Sequence, residues 1–243
     1  MEHDKVKPYS QGSKSKKEEV EEMFDNIAHR YDFLNHLLSA GMDKLWRKKA
    51  VHYIGEIHPK IVADIATGTG DFAMEIMRLR PDKIVGIDLS DDMLKYARIK
   101  AQEKGFNNVI EYVKGDSEKL LFADDSFDAM TVGFGVRNYQ DLEKGLREMN
   151  RVLKPNARLA ILEVSKPTNP FIKLIFNFYF NVMTPTIGRL FSKDSRAYTY
   201  LPESVAAFPA GHQFTAILEK SGFKNVRWTP LTFGICAMYT AEK

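Results

Sequence analysis

Between Lys60 and Ser165 the chain repeats one pattern: a short, continuously apolar or β-branched run, then a turn and a stretch compatible with a helix. The runs are KIVADIA, KIVGIDL, NVIEYVKG, SFDAMTVGFG and ARLAILEVS. A strand solvated on one face alternates polar and apolar residues, whereas a run that is apolar throughout needs cover on both faces. Helices alternating with such runs supply that cover, which restricts the chain to an α/β fold with a parallel sheet. Helices are expected over Asp71 to Leu79, over Asp91 to Lys104 (Met93, Leu94, Ala97 and Ala101 on one face) and over Asp141 to Leu153 (Leu142, Leu146, Met149 and Val152). After Pro167 the alternation stops and an aromatic-rich segment intervenes. GHQFTAILEKSG then reads as a last helix, with KNVRWTPL and GICAMYTAEK as closing, antiparallel strands.

Upstream, Val20, Met23, Phe24, Ile27 and Ala28 recur at helical spacing, and Leu34, Leu37 and Leu38 continue it after a break near Tyr31-Asp32, so two short helices are expected. The chain therefore divides into a disordered tail (1–19) and one domain (20–243) made of a helical lid (20–58), a core (59–165), an insertion (166–210) and a closing helix with strands (211–243). A length of 243 residues with 44% hydrophobic content suits one domain. The single cysteine, Cys236, excludes an internal disulfide, and the six histidines show no zinc-site spacing, so no metal is expected. A net charge of +3 is too small to argue for nucleic acid. The polar opening, MEHDKVKPYSQGSKSKKEEVEE, is unlike a leader, and a cytoplasmic protein is expected.

Gly68, Gly70 and Ala73 in VADIATGTGD fit the Gly-x-Gly-x-x-Gly/Ala turn that receives nucleotide-like cofactors. Dinucleotide folds run apolar residues straight into the first glycine, but here Asp64 precedes it and Asp71 opens the next helix. Carboxylates repel a pyrophosphate and attract a sulfonium and an ammonium, so the turn favours S-adenosyl-L-methionine. Asp88 closes the second run, where such folds place a ribose-binding carboxylate. Asp116, followed by Ser117, is placed to meet an adenine amino group. Ser90 and Asp91 read as helix caps, and a cap is the competing reading for Asp71.

These features resemble the seven-stranded, Rossmann-like class I S-adenosylmethionine-dependent methyltransferases. In three blocks the chain is similar to the UbiE-type quinone C-methyltransferases: YDFLNHLLSAGMDKLW (31–46), GFGVRN (133–138) and RVLKPNARLAILEVSKP (151–167). The likeness runs from Phe24 to the last strand. It implies Thr69, Asp88, Asp116 and Ser117 as cofactor contacts, to which the turn adds Asp64, Gly68 and Gly70. Gly133 stands where relatives can carry serine, and a cofactor contact is implied there. Ala66 and Thr67 replace small residues, often glycine, Asp43 stands where histidine is common, and Asn156-Ala157 replaces a glycine pair.

The implied reaction is methylation of demethylmenaquinol to menaquinol. The alternatives are methylation of a benzoquinol on the ubiquinone path or of another lipophilic phenol, and a cofactor-binding scaffold without turnover. A quinone ring is electrophilic, so the acceptor must be the quinol, whose anionic oxygen drives charge onto the adjacent carbon. Arg137 is a stabiliser of that anion or of a hydroxide-like water, and Asn138 orients such a water. Asp116 and the Tyr31-Asp32 pair are further candidates, and an ordinary ion pair is the competing reading for Arg137. The insertion carries six aromatics between Phe171 and Phe191, and five basic residues against one acid from Lys166 to Arg196. It is too short to span a bilayer. It suits a mouth for a prenylated quinol at an anionic membrane surface, on the inner face of the cytoplasmic membrane, or a core helix or homodimer contact.

Overall fold

The computed structural model describes residues 2–9, 13–179 and 196–243. Seven strands form one sheet in the order β3-β2-β1-β4-β5-β7-β6. They are β1 (Ile61–Ile65), β2 (Lys83–Asp88), β3 (Ile110–Lys114), β4 (Phe127–Gly133), β5 (Leu153–Val164), β6 (Lys224–Leu231) and β7 (Cys236–Glu242). All pairings from β3 through β5 are parallel, while β7 runs antiparallel to both β5 and β6. The strand order reverses between β1 and β4, and the crevice beyond the carboxyl ends of strands at such a point is where open α/β folds bind ligands.

The helices are α1 (Glu2–Lys5), α2 (Lys16–Ile27), α3 (Tyr31–Leu38), α4 (Met42–Gly55), α5 (Asp71–Ile76), α6 (Asp91–Glu103), α7 (Leu142–Val152), α8 (Pro170–Phe178), α9 (Arg196–Ala207) and α10 (His212–Lys220). Ser90 and Asp141 cap α6 and α7 with their side chains, as their positions imply. One core layer packs α7 and α10 on the sheet; the other packs α4, α5 and α6 on its opposite face.

Two expected boundaries are corrected. The lid ends at Leu38, not at residue 58: Trp46, Ala50, Val51 and Ile54 of α4 are buried among sheet residues, so α4 is part of the core. Helical periodicity cannot tell a helix facing a cleft from one facing a sheet. The tail expected to be disordered is also packed in its described parts. His3 and Lys16 are buried, Lys16 Nζ donates to the His3 and Arg137 carbonyls, and Ser15 and Glu18 close a capping box at the start of α2. Low hydrophobicity argued for disorder; the carbonyl acceptors that hold Lys16 lie 13 and 121 residues away. The described parts of the insertion hold α8 and α9, and the expectations that fall on residues 180–195 lie outside the described residues.

The turn after β1 places Ala66, Gly68 and Gly70 at φ of 52°, 55° and 82°. A Cβ on Gly70 would stand 2.2 Å from the Tyr112 hydroxyl, and one on Gly86 2.5 Å from the Tyr112 ring. Tyr112 of β3 thus occupies space that only glycines leave open. Gly70→Ala combines a left-handed backbone penalty with this overlap, so thermal or denaturant unfolding should show a loss of at least about 2 kcal/mol.

Candidate active site

The cleft at the switch point is walled by the ends of four strands: Ala66 and Gly68 after β1, Asp88 and Ser90 at β2, Gly115 to Glu118 after β3, and Gly133 to Gly135 and Asn138 after β4. Asp88 accepts hydrogen bonds from the Gly68 amide at 2.7 Å and the Ser90 amide at 2.9 Å, which fix its carboxylate at the lip of the turn. Burial raises its pKa above the usual carboxylate value, with those amides pulling the other way. Asp116 accepts from the Glu118 amide at 2.8 Å and from Lys17 Nζ at 2.6 Å. Ser117 and Gly133 also line the cleft, and a Cβ at Gly133 would press on Phe72 at 3.0 Å. The missing serine therefore leaves room already bounded by an aromatic ring.

Three expected contacts lie elsewhere. Asp64 is 0% exposed beneath the turn, accepting from Thr67 Oγ1 at 2.6 Å and Thr131 Oγ1 at 2.7 Å. Its carboxylate has no face on the cleft. Thr69 donates to Asp32 of α3 and accepts from Lys100, binding lid to core rather than facing the cleft. Gly70 is packed against Tyr112. Asp64 ends up beneath the turn because it still belongs to β1, whereas Thr69 and Gly70 lie beyond the left-handed Gly68.

Asp71 belongs to a charged network with Lys100 at 2.5 Å, His36 at 3.4 Å and Arg47 at 3.9 Å. Burial would raise its pKa, but Lys100 and Arg47 outweigh that and hold it low. His36, Asp43 and Asp71 bring ligand-type atoms within 4.8 Å of one another. Arg47 and Lys100 already neutralise both acids, which leaves an ion-pair cluster. The departure at Asp43 belongs to it, since Asp43 also accepts from Ser39 at 2.6 Å.

Helix α2 covers the cleft with residues four apart. Lys17 reaches Asp116, Glu21 pairs with Lys114 at 2.8 Å, and Asp25 accepts from Ser90 Oγ at 2.5 Å. Its buried apolar residues, Val20, Met23 and Ile27, pack with Leu34, Ala197 and Tyr200.

Met23 and Ile27 line a second cavity of about 490 Å³ with Leu34, Trp46, Arg137, Phe176 and Tyr200. Phe24, Tyr31 and Phe134 line both spaces, so the polar cleft and the apolar cavity meet there. Burial pushes the Tyr31 hydroxyl up to about 12, so it stays protonated. The Arg137 guanidinium is buried in the cavity wall, donating to Glu163 at 2.8 Å and to the Phe134 carbonyl, with its Nε unpartnered. Burial opposes its charge, but the Glu163 carboxylate outweighs that and keeps it protonated. Asn138 faces the other way, into the cleft, with Oδ1 buried and unpartnered.

Asp116 lines only the cleft, at the end of β3, which removes it as a candidate for chemistry on a molecule in the cavity. The ion pair weighed for Arg137 is present, with the buried Glu163 as partner, and it stands in the cavity wall. Sequence reasoning missed Glu163; its signal is a single acid inside the apolar run ARLAILEVS.

Burial pushes the Asp64 carboxyl from 3.8 to about 6. Its stabilising contribution is therefore full below about pH 4 and is lost as pH rises through about 6. Asp64→Asn should gain on the order of 2–3 kcal/mol relative to the parent between pH 4 and pH 7, measured by denaturant unfolding at each pH.

The family model for the ubiE/COQ5 methyltransferase family matches residues 11–243. The chain is 46% identical over 241 residues to the demethylmenaquinone methyltransferase of Bacteroides fragilis, covering 99% of this chain and 98% of that one. It is 46% identical over 230 residues to the ubiquinone/menaquinone biosynthesis C-methyltransferase UbiE of Geotalea daltonii, covering 94% and 97%. Among solved structures, a putative S-adenosyl-L-methionine-dependent methyltransferase from Methanococcus maripaludis superposes with a TM-score of 0.63 at 18% identity, over 97% of each chain. A [4+2]-cyclase, SpnF, superposes with a TM-score of 0.62 at 17% identity over 93% and 96%, which speaks for the fold alone.

Proposed function

The chain belongs to the ubiE/COQ5 methyltransferase family, and from that premise we propose that it methylates a ring carbon of demethylmenaquinol, giving menaquinol, with S-adenosyl-L-methionine as donor. The observation that carries this reading is the meeting of a polar cleft and an apolar cavity at Phe24, Tyr31 and Phe134, with Arg137 in the cavity wall. The cleft's donor set fits the cofactor. Asp88 is held by two amides at the lip, where it suits ribose hydroxyls, Asp116 and Ser117 suit the adenine, and the unpartnered Asn138 Oδ1 suits an ammonium or hydroxyl donor. Asp64 acts on a bound cation through the turn rather than by contact.

When bound, the cofactor supplies a methyl group on a sulfonium, so the protein need only position the acceptor and favour its anion. Arg137 stays charged and favours an ionised ring oxygen beside it. Tyr31 keeps its proton and can donate to the same ring at the junction. Helix α2 closes over both spaces and excludes water.

Among the described residues no helix is long and apolar enough to cross a membrane. Phe171, Leu174, Ile175 and Phe178 nevertheless form an exposed stripe on α8, and Phe33 and Leu37 are exposed on α3. Leu37 and Ile175 also line the apolar cavity, and the Tyr179 hydroxyl donates to the Leu38 carbonyl at 3.0 Å, so the stripe borders the cavity. A peripheral position on a lipid surface would let a prenyl tail pass from bilayer to cavity. Replacing Phe171 and Leu174 by serine should reduce sedimentation with anionic vesicles about tenfold or more while leaving cofactor affinity unchanged. A change of oligomeric state instead would identify the stripe as a subunit contact.

The test of the reaction is transfer of labelled methyl to reduced and oxidised prenylated acceptors, naphtho- and benzo-, side by side. The reduced demethylnaphthoquinol should be methylated and its oxidised form should not. In the same assay Arg137→Lys should lower the rate about 10²–10³-fold with cofactor affinity intact, because an ammonium keeps the charge and loses the planar fork. Alanine is the wrong probe there: it would strand buried Glu163 and cost roughly 3–5 kcal/mol of stability.

A further inference from the structure

The wall of the apolar cavity holds a hydroxyl that the protein itself leaves unsatisfied. Tyr200 is 1% exposed and lines the cavity, and its Oη has no hydrogen-bond partner. A buried hydroxyl without a partner costs about 1–3 kcal/mol, a cost phenylalanine would not carry. Packing does not explain the oxygen, because the ring already sits among Val20, Met23, Ile27, Leu34 and Ala197, which ask only for an apolar body. Helix α9 packs on α2 and on the turn Val136–Asn138, which places Tyr200 beside the segment bearing Arg137. The guanidinium bears electrostatically on the Tyr200 hydroxyl, and Arg137 Nε is unpartnered in the same wall. Two polar groups without partners thus stand in the wall of one cavity, which Asn35, Ser39, Asp43 and Thr232 also line.

We propose that Tyr200 is a specificity-determining residue whose hydroxyl donates a hydrogen bond to a ring oxygen of the phenolic acceptor, next to Arg137. The inference rests on the reading of the apolar cavity as the acceptor site. It explains how the cavity selects an oxygenated ring: its apolar walls take the tail without discrimination, and a ring oxygen satisfies Tyr200.

The test is Tyr200→Phe, which removes only the oxygen. Binding of a short-chain menaquinol is followed by quenching of the cavity tryptophan, Trp46, alongside a prenyl hydrocarbon with no ring oxygen. The expected result is a menaquinol Kd raised about three- to tenfold, a hydrocarbon Kd and cofactor affinity unchanged, and a Tm equal to the parent's or higher. In turnover the loss should fall mainly in the acceptor KM. An unchanged menaquinol Kd overturns the proposal, as does an equal loss for the hydrocarbon or a lowered Tm, since either would make the hydroxyl structural. If the parent binds no quinol, the acceptor-site reading fails and the proposal fails with it. If the parent binds and the variant binds equally, only the Tyr200 assignment fails.

Discussion

The buried pair between Arg137 and Glu163 is the interaction on which the site depends. Glu163 lies in β5, 0% exposed, and accepts the guanidinium at 2.8 Å, the Arg137 amide at 3.3 Å and the Val164 amide at 2.9 Å. The turn after β4 is thereby tied to the neighbouring strand by side chain and main chain together. Removing two charges from water costs several kcal/mol per ion, and apolar residues of similar size would serve stability as well or better. What an apolar pair would not supply is a fixed positive charge inside an apolar cavity. The same pair anchors the turn that places Arg137 on the cavity and Asn138 on the polar cleft.

The lid works on both spaces at once because a helix repeats every 3.6 residues. Lys17, Glu21 and Asp25 meet the strand ends, while Val20, Met23 and Ile27 face the apolar cluster. The Lys17–Asp116 pair joins side chains 26% and 28% exposed, and such pairs contribute about 0–1 kcal/mol. The apolar face holds the lid and the polar face can yield.

Several residues that line the cleft or cap its helices could be read in the sequence because their positions are local. Asp88 closes a strand, Gly68 needs a left-handed backbone, and Ser90 and Asp141 precede helices. Asp64, in β1, and Thr69, in the turn, were legible in position but not in direction. Successive left-handed residues at 66, 68 and 70 reverse the chain, and side-chain direction there follows from the path of the backbone. Glu163 could be noticed as an acid in an apolar strand, yet its partner lies 26 residues away.

Period and spacing by themselves determined the α/β class, the run of parallel strands, the closing strand pair and the place of the glycine-bearing turn. Each reflects a repeat of two or 3.6 residues, or a backbone angle that few residues adopt. Only the tertiary structure decided that α4 belongs to the core, that described parts of the opening segment pack on the domain, and that Arg137 and Asn138 face different spaces. Those outcomes rest on contacts between distant segments, such as Lys16 with the Arg137 carbonyl across 121 residues. A local pattern shows that a side chain needs burial or a partner; which partner it meets depends on where the rest of the chain has gone.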